Sequence, residues 1–129
     1  MEEHPNITLW RKGQEAFSRR DMDVGRDIYP EDVVYHFPGT HKFAGDHKGL
    51  DAVVRLLTGL TSERNVQITE VHSVMADDDH VVALVRTTAK RGDEQRRFDF
   101  ANIYHVADGK ITEAWLLSAD PFTLDAFLS

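Results

Sequence analysis

From Val66 to Ala119 the apolar residues of this chain recur at every second position, and three short polar breaks divide the run. The breaks are Asp77-Asp78-Asp79, Arg91-Gly92-Asp93 and Asp108-Gly109. A period of two belongs to a strand with one covered face, and connections this short make successive strands antiparallel neighbours. Residues 66–76, 80–90, 96–107 and 110–119 are therefore read as four consecutive strands of one sheet. In the first of them the apolar positions change phase between Ile68 and Val71, as a bulge in a strongly curved sheet produces.

The residues before this run follow another rhythm. Ile7, Trp10, Gln14 and Phe17 keep helical spacing, with Pro5 and Asn6 suited to the start of a helix over residues 6–19. Asp21 can cap a short second helix carrying Val24 and Ile28, which stops before Pro30. Val33 to Phe37 reads as a short strand ended by Pro38-Gly39, followed by a polar loop. Leu50, Val53, Val54, Leu57 and Leu60 then form the cleanest helical stripe, and Pro121 opens a C-terminal helical segment. Helices first and strands after make an α+β class, a single domain over residues 1–129. A curved, mainly antiparallel sheet with helices on its concave side is a cone, and a cone leaves room for an apolar pocket.

Totals narrow the functions available. With 129 residues the chain can bury an ordinary core without metals or cross-links. Its formal net charge of -7 repels a nucleic-acid backbone or an anionic membrane, and the basic pairs are too short to reverse that. Zero cysteines exclude disulfides, thiolate metal sites and cysteine nucleophiles. No signal peptide or long apolar run is present, which points to the cytoplasm. His41, Asp46 and His47 share a loop but lack the spacing that converges ligands on a metal, so no metal is expected.

Candidate site residues follow from the parity of the strands. On the strand ending at Ala107, one face carries Phe98, Phe100, Asn102, Tyr104 and Val106. Three aromatic rings in a row must be covered, so this face looks inward. Asn102 then stands as an amide in an apolar wall, either a satisfied core amide or a donor aimed at a ligand oxygen. His36, on the short strand, is either structural or a base near neutrality. Asp120 is either an acid or the N-cap of the helix that Pro121 opens. Trp10, Phe17, Tyr29, Phe98, Phe100 and Tyr104 are the expected ligand-binding lining. On the opposite sheet face Ile103, Trp115 and Leu117 form an apolar patch, either a homodimer surface or ground covered by the C-terminal segment.

The stretches GQEAFSRRDMD, DVVYHFPGTHKFAGDHKGLDAV and IYHVADGKITEAW cover nearly the whole chain in order and spacing. In them the chain resembles the SnoaL-like proteins of the nuclear transport factor 2 and ketosteroid isomerase superfamily. The resemblance implies a cystatin-like α+β barrel around a pocket and cofactor-independent isomerase, cyclase or dehydratase chemistry in some members, binding alone in others. Aligned on the Asp108–Ile111 turn, it puts the isomerase's base at His36, its oxyanion-holding acid at Asn102 and its oxyanion tyrosine at about Gly13. The charged residues of limonene-1,2-epoxide hydrolase fall on Ala83, Val85 and Leu116, which excludes that chemistry. The implied functions are a proton-transfer enzyme acting on an apolar oxygenated molecule, with His36 as base and Asn102 as donor, or a hydrophobic-ligand-binding or dimeric module without catalysis.

Overall fold

The computed structural model describes residues 2–129. Helix α1 (Pro5–Arg19) starts with proline in its first turn, and the His4 side chain accepts a hydrogen bond from the Asn6 amide. It ends at Arg20, whose left-handed backbone turns the chain into α2 (Met22–Ile28), capped by Asp21 through the Val24 amide. Strands β1 (Val34–Phe37) and β2 (Gly45–Lys48) precede α3 (Leu50–Arg64). The long strands β3 (Gln67–Ala76), β4 (His80–Arg91), β5 (Glu94–Ala107) and β6 (Lys110–Ser118) follow, and α4 (Pro121–Leu128) closes the chain.

The six strands form one open sheet in the order β2-β1-β6-β5-β4-β3. All neighbours are antiparallel except β1 and β6, which run parallel. The sheet does not close into a barrel, because β2 and β3 remain edges. Its turns obey local chemistry. Asp108 and Gly109 both take positive φ, as a two-residue hairpin demands. Asp77 Oδ1 accepts from the amides of Asp79 and His80, holding the β3–β4 turn.

Register shifts fall between Ile68 and Glu70 and between Val71 and Ser73, where the sequence changes phase. A third lies at His105–Val106, which nothing in the sequence pattern announces. The bulges bend the sheet around α1, which touches β3, β4 and β6 at once. β3 and β6 are three strand spacings apart, wider than a helix, so only a wrapped sheet permits both contacts. Strand β2 is the one element the sequence reading leaves as loop. Its Gly-Asp-His-Lys stretch is almost wholly exposed and has no apolar alternation to reveal it.

Trp10, Val33, Val53, Val81, Ile111 and Leu128 anchor the core between helices and sheet. The C-terminal end of α4 is held by two arginines. Arg91 donates to the carbonyls of Ala126 and Ser129 at 3.0 and 2.8 Å, and Arg64 donates to Ser129 at 2.9 Å. These cations satisfy carbonyls that a helix end leaves unpaired. Among the described residues no helix is long and apolar enough to cross a membrane.

Candidate functional site

The concave side of the sheet and helices α1, α3 and α4 enclose a cavity of about 970 Å³. That lies at the upper end of ordinary small-molecule pockets, roughly 300–1,000 Å³. Its walls are apolar: Phe17 from α1, Val54 and Leu57 from α3, Phe98 and Phe100 from β5, and Leu116 from β6. Trp10, Tyr35, Asn102 and Tyr104 also line it, all buried. Exposed lining residues mark the mouth: Arg11 in the middle of α1, Ser18 and Arg20 at its end, and Gln67 and Ile68 of β3. Arg11 is paired with Glu3 at 2.8 Å. Among the described lining residues the only charged side chains are Arg11 and Arg20; there is no carboxylate and no imidazole.

The floor is polar in a way the walls are not. Asn102 is 7% exposed and Trp10 is 1% exposed. The Asn102 Oδ1 and the Trp10 Nε1 lack a geometrically close hydrogen-bond partner and are themselves buried, with no surface open to the cavity. Thr87, the other buried polar residue of this face, is satisfied: its hydroxyl donates to the Phe98 carbonyl at 2.8 Å. Tyr104 stands between the two unpartnered groups, its ring 6.3 Å from that of Trp10. Burial pushes the Tyr104 phenol up, while the Trp10 and Asn102 side chains beside it oppose the rise. Tyr35, 6.4 Å from Tyr104 between ring centroids, is likewise pushed well up by burial and by the neighbouring phenols. These hydroxyls stay protonated near neutrality and act as neutral hydrogen-bonding groups.

The structure does not bring His36 and Asn102 together. Tyr35 and Phe37 turn into the cavity, so His36 between them turns to the convex face. There its Nδ1 lies 2.7 Å from Asp46 and its Nε2 2.5 Å from Glu113, and its ring stacks on Trp115 at 5.4 Å. The Asp46 hydrogen bond raises its pKa most, with Glu113 adding to it. A histidine with both nitrogens bound to carboxylates on the far side of a sheet cannot serve as base in this cavity.

Asp120 is the N-cap of α4, accepting from the Thr123 amide at 3.2 Å, and it does not line the cavity. Tyr29 also falls outside the lining. It lies behind the wall, with its ring 5.4 Å from Phe17 and its hydroxyl against Gly13. A Cβ at Gly13 would collide with that hydroxyl, which is why no side chain can stand where the resemblance places a tyrosine. Ala83, Val85 and Leu116 are buried on the concave face, uncharged. His41 packs edge-on against Phe37 at 4.4 Å, buried and held neutral by desolvation. Among the described residues no group of three or more His, Cys, Asp or Glu side chains is arranged to hold a metal ion.

Tyr35, Phe37 and the mouth arginines are cavity residues that the sequence reading does not place in the lining. Strand parity signals the first two, because the side of β1 bearing two aromatic rings is the side that must be covered. Arg20 carries no such signal, since its position depends on the left-handed turn that ends α1.

The SnoaL-like domain family matches residues 10–114, most of the chain and all the elements that build the cavity floor. An uncharacterised protein of Mycobacterium tuberculosis is 29% identical over 129 residues, covering 98% of both chains. Among solved structures, Bal32a from a soil-derived mobile gene cassette superposes with a TM-score of 0.88 at 25% identity, covering 97% of each chain. An NTF2-like protein from Burkholderia xenovorans LB400 gives 0.89 at 20% identity, covering 100% of this chain and 99% of that one, a likeness of fold. Matched over residues 10–114, well over half of its length, the chain belongs to the SnoaL-like domain family.

Proposed function

We propose that the protein binds a largely apolar, oxygenated small molecule in the concave cavity. The observation that carries this reading is the cavity itself: about 970 Å³, walled by apolar and aromatic side chains with Tyr35, Asn102 and Tyr104 among its few polar lining residues. Binding without catalysis is favoured over proton transfer, because the lining offers no group that takes a proton near neutrality.

On the convex face Met75, Val82, Ile103 and Trp115 form a row in register across four strands. We assign this row to a second copy of the chain, since a self-complementary patch on a sheet face suits a two-fold dimer.

The binding reading is tested with anilinonaphthalene sulfonate, whose fluorescence rises in apolar surroundings. The wild type is expected to enhance it, and Val54→Trp, which fills the cavity from α3, to abolish the enhancement while still melting cooperatively. Undiminished enhancement in a folded Val54→Trp protein sinks the reading.

A further inference from the structure

We infer that the ligand carries an anionic head, a carboxylate, at its exposed end, and that Arg20 receives it at the mouth of the cavity while the apolar body fills the interior. This deepens the binding reading and rests on it. The argument starts from where charge stands. The chain holds 22 acidic and 15 basic side chains, yet the described cavity lining holds Arg11 and Arg20 and no carboxylate. A mouth lined without regard to charge would mirror the acidic surplus of the chain. This one reverses it.

The acids of the neighbouring segments are already engaged. Glu3 takes Arg11 at 2.8 Å, Glu15 takes Arg19 at 2.6 Å, and Glu70 takes Arg86 at 2.7 Å. Asp21, next to Arg20 in the chain, accepts from the Val24 amide as the cap of α2. Of the three arginines on α1 and its cap, only Arg20 has no carboxylate partner among the described residues. It sits on the left-handed residue that ends α1, with φ 56° and ψ 36°, and lines the mouth. Nine positions separate it from Arg11, about 13 Å of helix rise, so one head group meets one arginine and not both.

The strand side of the rim is of another kind. Ile68 and Val71 of β3 line the cavity while 41% and 40% exposed. Exposed apolar side chains on the strand and an unpaired cation at the helix end suit a molecule that is apolar along its length and charged at its tip. Gln14 and Ser18, one turn apart on α1, add neutral polar groups to the same lining. A carboxylate suits the guanidinium because its two oxygens match the planar fork. An ammonium head would meet only like charge, and a dianionic phosphate would find one unpaired cation for two charges among the described lining residues. At an exposed rim the head keeps much of its water, so its charge costs little to bind.

The test uses three probes with one tail, decanoate, decanol and decylammonium, titrated calorimetrically into the full-length protein near neutral pH. Decanoate is expected to bind at least about tenfold tighter than decylammonium, against the chain's net charge of -7. Arg20→Gln should narrow that ratio at least about fivefold, and Arg20→Lys, which keeps the charge, by less. Arg97→Gln removes the same charge from the convex face and should narrow it less than about twofold. Equal binding of decanoate and decylammonium, tighter binding of decylammonium, or a ratio narrowed as much by Arg97→Gln as by Arg20→Gln overturns the anionic-head assignment. If the charged probes bind alike and Val54→Trp blocks decanol, the cavity remains a binding site and only the head assignment falls. If none of the three binds, both readings fall together.

Discussion

Tyr35 and His36 are consecutive residues of β1, and they belong to two different kinds of surface. On the convex side, where His36 points, charged and polar groups find one another. His36 lies between Asp46 and Glu113, Arg86 pairs with Glu70 at 2.7 Å, and Arg97 with Asp99 at 3.2 Å. On the concave side, where Tyr35 points, polar groups are few, and the buried Trp10 Nε1 and Asn102 Oδ1 lack a close protein partner. The same strands supply both faces by alternation. What differs is satisfaction: one face completes its polar chemistry in side-chain pairs, and the other buries a few polar atoms among aromatic rings with less complete pairing.

The sharpest way to break this contrast is to truncate the two neighbours separately. Tyr35 is buried against Tyr104 and Phe37 lies beyond it, so Tyr35→Ala is expected to cost about 3 kcal/mol or more in urea unfolding. His36→Ala, one residue on, should melt within about 4 °C of the wild type, because its pairs are screened by solvent. Similar losses from both would show that the convex cluster is part of the core and that the contrast is mistaken.

A second contrast concerns what each face meets. Trp115 sits in the apolar convex row, so Trp115→Glu should weaken self-association at least about thirtyfold by sedimentation equilibrium, the effect of losing an aromatic anchor. Probe binding in the cavity should not change. A wild type that stays monomeric at every concentration removes the dimer from the picture and leaves the cavity reading intact.

Asn102→Leu tests the unsatisfied floor directly. Replacing an unpartnered amide with a similar apolar volume is expected to raise the ligand-free stability by about 1 kcal/mol, where most buried substitutions lower it. Destabilisation beyond about 1 kcal/mol would mean that Asn102 supports the fold, as Thr87 does through its bond to Phe98.

Much of this was legible in the order of residues. Alternation along β5 places Asn102 among aromatic rings, and the phase change near Ile68 marks a bend that the register shifts reproduce. The side on which His36 falls follows from the same parity, since Tyr35 and Phe37 cannot be covered unless His36 is turned out. Its partners were not legible. Asp46 reaches it through the β1–β2 pairing and Glu113 through the parallel β1–β6 pairing, and neither register can be read from a chain that leaves β2 as a polar loop. Pairings between distant segments, and the cap that aims Arg20, are tertiary facts that local patterns do not encode.

The smallest effect concerns the pH dependence of the convex cluster. Hydrogen bonding to Asp46, and then to Glu113, raises the His36 pKa above its ordinary 6.5. Its contribution to stability is therefore complete below 6.5 and fades as pH rises through the raised value. The bond to His36 lowers the Asp46 pKa from its ordinary 3.8, so that contribution is complete above 3.8 and fades as pH falls through the lowered value. Lys48 and His47 on the β2 side act on Asp46 in the same direction, and His105 pairs across from Glu113 on β5. The melting difference between the wild type and His36→Gln should thus be widest between about pH 4 and 6.5 and narrow on either side. A difference that grows above neutrality would mean that His36 is held neutral by its surroundings. It would then belong with the unsatisfied groups of the concave face, and the division between the two faces would fail at the residue that defines it.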